Sequence, residues 1–99
     1  MHARVTTLTM DPARVDDAIG QLEADEIPRW KQIDGFKGFT LLVDRSAGKS
    51  TAISFWESEA AIRESEEAVR PSRERAAETG GATDAPTVEL FEVAVDTMA

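Results

Sequence analysis

The stretch Gly35–Ser58, GFKGFTLLVDRSAGKSTAISFWES, decides the fold. Its β-branched and aromatic residues predict two strands, at about 36–44 and 50–57, and RSAGK between them supplies the turn of a hairpin. Alternation predicts that five large apolar side chains share one face of this hairpin: Phe39, Leu41, Val43, Ile53 and Phe55. Leu42 and Trp56 are placed on the opposite face. Ser58 is predicted to cap a helix that begins directly after the second strand.

Upstream of the hairpin, residues 3–10 (ARVTTLTM) predict a first strand, and DPARVDD predicts the start of a helix. Asp11 is a suitable N-cap and Pro12 suits the first helical position. The predicted apolar stripe of this helix, spaced three to four residues apart, consists of Val15, Ile19, Leu22, Trp30 and Ile33, with Ile27 nearby. Pro28 lies inside that run, so we expect a kink or a break into two pieces.

Downstream, the helix that begins after Ser58 has a predicted inward stripe: Ala61, Ile62, Ser65 and Val69. Its outer face carries two ion pairs at i,i+4 spacing, Glu59–Arg63 and Glu66–Arg70. Pro71 is expected to end or bend this helix, with SRERAAET as a short continuation. After the loop GGATDAP, a last strand is predicted at about 87–96. Its alternation places Val88 and Leu90 on one side, and Phe91, Val93 and Val95 on the other.

The predicted order of elements is β-α-β-β-α-β, the ferredoxin-like arrangement, in a single domain covering residues 1–99. In this α+β fold two helices cover one face of a four-stranded antiparallel sheet. Both faces of the predicted sheet carry large apolar side chains, and leaving one face in water would cost free energy. We therefore expect a homodimer in which two sheets face each other. The alternative is a monomer with an exposed apolar patch.

Composition limits the partners and the setting of the protein. The chain of 99 residues has a formal net charge of −8, which disfavours binding to nucleic acid or to an anionic membrane surface. It contains no Cys, which excludes disulfides and thiolate chemistry. No leader-like or membrane-spanning apolar run is visible. We expect a cytoplasmic protein.

Three segments carry a resemblance to a known family: TMDPARVDDAI at 9–19, the hairpin at 35–58, and PTVELFEVA at 86–94. They resemble the antibiotic biosynthesis monooxygenase (ABM) superfamily over nearly the whole chain. The resemblance implies a dimeric α+β barrel. Some members of that superfamily oxygenate phenolic polyketide intermediates without metal or flavin, others degrade haem, and many have no established activity.

Three residues are candidates for substrate binding. The resemblance implies that Trp56, at the junction of strand and helix, lines a cavity between sheet and helices, although a buried Trp is also a common core residue. Trp30 is predicted to face the same cavity or to belong to the core. Arg4 stands where the family's oxygenases and haem enzymes place Asn or another polar group. Its guanidinium could pair with a carboxylate or phenolate, or it could be a surface charge at the end of a strand.

The sequence assigns no catalytic residue. It contains no Tyr or Cys, its only histidine is His2, and its many acidic residues occupy no evidently apolar setting. No metal site and no cofactor are expected, and the second helix lacks the His that the family's haem enzymes use. The first hypothesis is a cofactor-independent monooxygenase acting on a small aromatic or quinone-like metabolite. Two alternatives stay open: a non-catalytic, ligand-binding or stress-associated dimer, and a purely structural assembly module.

Overall fold

The computed structural model describes residues 1–98 and has the predicted ferredoxin-like order of elements. The four strands are β1 (His2–Thr9), β2 (Phe36–Asp44), β3 (Lys49–Trp56) and β4 (Thr87–Glu92). They form one antiparallel sheet in the order β2-β3-β1-β4. The helices are α1 (Val15–Gln21), α2 (Ile27–Trp30) and α3 (Glu59–Thr79). Helices α1 and α3 pack on each other, and α3 packs on β1 and β3.

The first helical region begins where Asp11 was predicted to cap it, since the Asp11 carboxylate accepts a hydrogen bond of 2.9 Å from the Ala13 amide. A 3₁₀ turn (Pro12–Arg14) leads into α1, and a π-helical segment (Leu22–Glu26) joins α1 to α2. The expected interruption before Pro28 is thus present as a widened turn. There the Ile27 amide bonds to the Leu22 carbonyl, five residues back.

Helix α3 begins as predicted, with the Ser58 hydroxyl accepting a hydrogen bond of 3.1 Å from the Ala61 amide. The prediction that Pro71 ends this helix is wrong, because the helix runs without a break from Glu59 to Thr79. Val69 and Ser72 are buried on either side of the proline, so packing against the rest of the protein holds this stretch in place. Both predicted ion pairs form: Glu59–Arg63 at 2.8 Å and Glu66–Arg70 at 3.5 Å.

The predicted faces of the central hairpin are partly wrong. Asp44 pairs with Lys49, so beyond the bulge at Phe36/Gly38 every odd-numbered residue of β2 is paired with an even-numbered residue of β3. Paired residues point to the same face of the sheet. Phe39, Leu41 and Val43 consequently do not share a face with Ile53 and Phe55, as predicted, but lie on the opposite, helix-covered face. Leu42 is the reverse case, lying on the outer face with 54% of its surface exposed.

The corrected outer face of the sheet, the face without helices, still carries large apolar side chains: Val5, Leu42, Ile53, Phe55 and Phe91. Strand β4 ends at Glu92, shorter than predicted, and Val95 is exposed beyond it. No helix in residues 1–98 combines the length and apolar character needed to cross a bilayer.

Candidate functional site

A cavity of about 80 Å³ lies between the helices and the covered face of the sheet. Most of its wall is apolar, with these side chains among the contributors: Leu8, Met10, Leu22, Phe39, Leu41 and Val69. All three residues singled out from the sequence, Trp56, Trp30 and Arg4, also line it. Among these three, Arg4 and Trp56 are 52 positions apart in the sequence and meet at the same wall.

Trp56 is fully buried at the end of β3. Its indole N–H donates a hydrogen bond of 2.9 Å to the Ser54 hydroxyl, and its ring meets Phe36 edge-on with centroids 5.4 Å apart. It also packs in one apolar cluster with Ile62 and Val69. Trp56 is therefore both a core residue and part of the cavity wall, so the two interpretations of this residue from the sequence are compatible.

Trp30 lies at the end of α2 and is only partly buried. Its ring is tilted against Phe39, with centroids 5.0 Å apart, and its indole N–H donates a hydrogen bond of 3.0 Å to the hydroxyl of Ser72 on α3. Since the polar end of the indole is anchored on another helix, the ring is held in place at the cavity wall.

Arg4 is 4% exposed, so the alternative of a surface charge is wrong. Its Nη2 donates to the Ile62 carbonyl at 2.7 Å and to the Ser65 hydroxyl at 3.0 Å, while Cζ lies 5.6 Å from the centroid of the Trp56 ring. Within residues 1–98, Nε and Nη1 have no hydrogen-bond acceptor, although Nε is 3.5 Å from a Glu66 oxygen. Burial lowers the pKa of Arg4, and the charge of Glu66 opposes that effect.

Sequence reasoning missed the buried carboxylate of Glu26, which is fully shielded from solvent. It accepts hydrogen bonds from Ser72 at 2.7 Å, from Arg75 at 2.6 and 2.8 Å, and from Gln21. The bonds from Arg75 are the main reason that the pKa of Glu26 falls to about 2, and burial acts in the opposite direction. Ser72 also accepts from Trp30, so Glu26 supports a wall of the cavity. The sequence did contain a signal for this burial, because Glu26 lies four residues after Leu22 and so on the apolar stripe of the first helical region.

A second unpredicted contact joins Arg73 to Glu66, through hydrogen bonds of 2.8 and 3.1 Å. Arg73 is the largest cause of the lowered pKa of Glu66. Arg73 and Arg4 are the only charged side chains that line the cavity within the described part of the chain.

The cavity does not suit a metal or haem. Residues 1–98 contain no grouping of three His, Cys, Asp or Glu side chains that could hold a metal ion. None of the side chains that line the cavity is a His, Cys or Tyr, which are the usual protein ligands of haem iron along with Met. Met10 could supply only a thioether, and about 80 Å³ is far too little space for a porphyrin.

Similarity to other sequences gives no activity. No protein-family model matches the chain. An uncharacterised protein of Mycobacterium tuberculosis is 38% identical over 94 residues, which cover 95% of this chain and 41% of the relative. A second uncharacterised protein of that organism is 43% identical over 77 residues, covering 78% of this chain and 33% of the relative. The chain thus spans about two fifths or less of the length of these relatives.

Solved structures identify the fold. A Streptomyces coelicolor monooxygenase from the gene ActVA-Orf6, in complex with nanaomycin D, superposes with a TM-score of 0.80 at 18% identity, covering 99% of this chain and 91% of the other. SnoaB, a cofactor-independent oxygenase from Streptomyces nogalater, gives 0.64 at 21% identity, with 97% and 95% covered. The haem degrader MhuD of Mycobacterium tuberculosis gives 0.69 at 20% identity, with 99% and 100% covered. The comparison shows the fold: the chain has the ferredoxin-like fold that these solved structures share.

Proposed function

We propose that the protein is a cofactor-independent monooxygenase that oxidises a small phenolic or quinone-like metabolite in the cavity between sheet and helices. The observation that carries this proposal is the buried Arg4, a cation with unused N–H donors in an apolar, tryptophan-lined wall. A guanidinium in such a setting stabilises an oxyanion strongly, since water does not screen the interaction. The structural similarity to monooxygenases supports the reaction class.

The proposed reaction uses only the substrate and dioxygen. Arg4 stabilises the phenolate, whose electron-rich para carbon forms a bond to one oxygen atom of O₂. After protonation, the resulting hydroperoxide loses the para hydrogen as a proton and its outer oxygen as water, leaving a quinone. Phenol and O₂ thus give quinone and water, with the substrate oxidised by four electrons and O₂ reduced by four.

The size of the cavity restricts the substrate. An apolar cavity of about 150 Å³ accommodates benzene, whereas this one measures about 80 Å³. The volume therefore favours a single ring over a bicyclic compound, and even a single ring requires the walls to move.

Oxygen uptake tests the proposal. We expect the protein to consume O₂ with monocyclic phenols or dihydroxynaphthalenes that carry a hydrogen para to a hydroxyl group, and to continue after metals are chelated. Arg4→Gln should reduce kcat/KM by about 100-fold or more, the effect of losing one buried charged donor to a developing oxyanion. Arg45→Gln is a matched control, because the Arg45 side chain lies in the hairpin turn, is exposed, and pairs with Asp16 of α1. Uptake that is absent throughout the panel, or that chelation abolishes, would contradict the proposal.

A non-catalytic, ligand-binding protein is the second candidate. It is favoured by one observation: among residues 1–98 the charged side chains that line the cavity are both arginines, so no carboxylate or imidazole of this part of the chain can take a proton from the substrate there. In that case the same compounds would raise the melting temperature without any consumption of oxygen.

The proposed assembly is a homodimer through the outer face of the sheet. Leu42 and Phe91 on that face are 54% and 48% exposed, and burying them against a second copy would recover hydrophobic free energy. A cytoplasmic location, which the sequence led us to expect, remains part of this proposal.

A further inference from the structure

A second concave region lies on the helix side of the sheet, between α3 and the edge strand β4. This groove, of about 390 Å³, is lined by six side chains among others: Arg4, Arg63, Glu66, Arg73, Val88 and Leu90. Val88 and Leu90 face the helix layer, as the pairing of β4 with β1 dictates, yet they are 37% and 46% exposed. The groove therefore has an apolar floor on β4 and a charged wall.

The charge of that wall is positive on balance. Arg63 is neutralised by Glu59 at 2.8 Å, outside the groove. Glu66 is left to balance both Arg73, at 2.8 Å, and Arg4, at 3.5 Å. Arg70 also lies 3.5 Å from Glu66, but Glu67, at 3.5 Å, balances its charge. One positive charge is therefore in excess, in a chain whose formal net charge is −8.

The excess charge lies where the groove meets the cavity. Arg4 and Arg73 form part of the wall of both spaces. Arg4 is also the residue whose Nε and Nη1 lack acceptors within residues 1–98, at 4% exposure. A buried donor without an acceptor is costly, so a ligand oxygen at this junction would be strongly favoured.

We propose that the ligand of this protein is an aromatic acid: its ring occupies the cavity, and a short side chain that ends in a carboxylate lies in the groove beside Arg4 and Arg73. This inference rests on the proposed function for the placement of the ring, and adds the class of substrate. A monoanion matches the single excess charge, and the planar carboxylate matches the geometry of a guanidinium. The methylene groups of the side chain pack on Val88 and Leu90.

Equilibrium binding without oxygen tests this assignment. The probes are 3-hydroxyphenylacetate and its methyl ester, titrated anaerobically with the fluorescence of the two tryptophans as the signal. They share a ring and differ in the charge of the side chain. We expect the acid to bind at least about tenfold more tightly than the ester, as is usual for a charged hydrogen bond at a buried site.

A charge introduced into the groove supplies the second arm. Leu90→Glu should weaken binding of the acid about tenfold more than binding of the ester, because both lose the same packing on residue 90 and only the acid is repelled by the new charge. Val95→Glu makes the same change of charge beyond the end of β4, where residue 95 is 83% exposed. It should change the affinity for neither the acid nor the ester.

The outcomes separate the two proposals. Equal binding of acid and ester, or equal effects of Leu90→Glu on both, would overturn the aromatic acid while leaving the oxygenase intact. If neither compound binds and no other phenol is oxidised, the cavity is not a site for phenols, and both proposals fail.

Discussion

Replacing Glu26 by Gln should destabilise the protein by an amount that depends on pH. In the folded protein the pKa of Glu26 is about 2, against an ordinary value of 4.5. Because one unit of pKa difference is worth about 1.4 kcal/mol, the ionised carboxylate contributes about 3 kcal/mol at neutral pH. Gln cannot replace it, since the amide offers one acceptor where Arg75 uses both carboxylate oxygens.

The sign of the pH dependence follows from the lowered pKa. A carboxylate that ionises more readily in the folded than in the unfolded protein stabilises the fold above about pH 4.5, and this contribution is lost as the pH falls towards 2. The difference in stability between wild type and Glu26→Gln should therefore shrink by about 2 kcal/mol between pH 6 and pH 3.

Urea unfolding followed by tryptophan fluorescence at several pH values measures this difference. Glu64→Gln is the matched control, because Glu64 is an exposed residue of α3, and its replacement should change stability by less than about 0.5 kcal/mol. A stability difference for Glu26→Gln that stays constant from pH 6 to pH 3 would show that the carboxylate is not held ionised by Arg75.

Two further predictions concern the backbone and the assembly. Gly48→Ala should destabilise the protein by about 2 kcal/mol or more, because φ is +69° and an added Cβ would lie 2.1 Å from the Met10 carbonyl oxygen. Gly20→Ala, on the exposed side of α1, should instead stabilise the protein by about 0.5–1 kcal/mol. Denaturant unfolding measures the stability of both variants. A Gly48→Ala variant more stable than the Gly20→Ala variant would refute the placement of the turn. Ile53→Glu, in the middle of the outer face, should convert a dimer into a monomer in sedimentation experiments, and a wild-type protein that is already monomeric at micromolar concentration would contradict the proposed interface.

The order of elements was predictable because each element carries its own local signals. Asp11 and Ser58 mark the starts of helices, and Gly48 marks the hairpin turn, where the structure has a positive φ. The relative phase of β2 and β3 was not predictable from alternation alone, because it depends on whether the turn contains an even or an odd number of residues. The pairing of Asp44 with Lys49 sets that number, and it reversed the expected position of Phe39.

Sequence reasoning singled out three residues that line the cavity, but it did not find the hydrogen bonds that surround them. Trp56 was expected at the cavity wall from the resemblance, whereas the sequence left Arg4 open between a partner for an anion and a surface charge. The partners of Glu26 could not be found in the same way, since Arg75 lies 49 residues away and the contact depends on how α2 packs against α3. The burial of Arg4 depends likewise on Ile62 and Ser65 of another element.

The fate of isotopic oxygen tests the central claim most directly. The chelator-treated protein is supplied with ¹⁸O₂ and a phenolic substrate from the panel, and the quinone is analysed by mass spectrometry. The account predicts one ¹⁸O atom in each quinone molecule formed and the other in water. A product without label, or no product above the rate without protein, would contradict it.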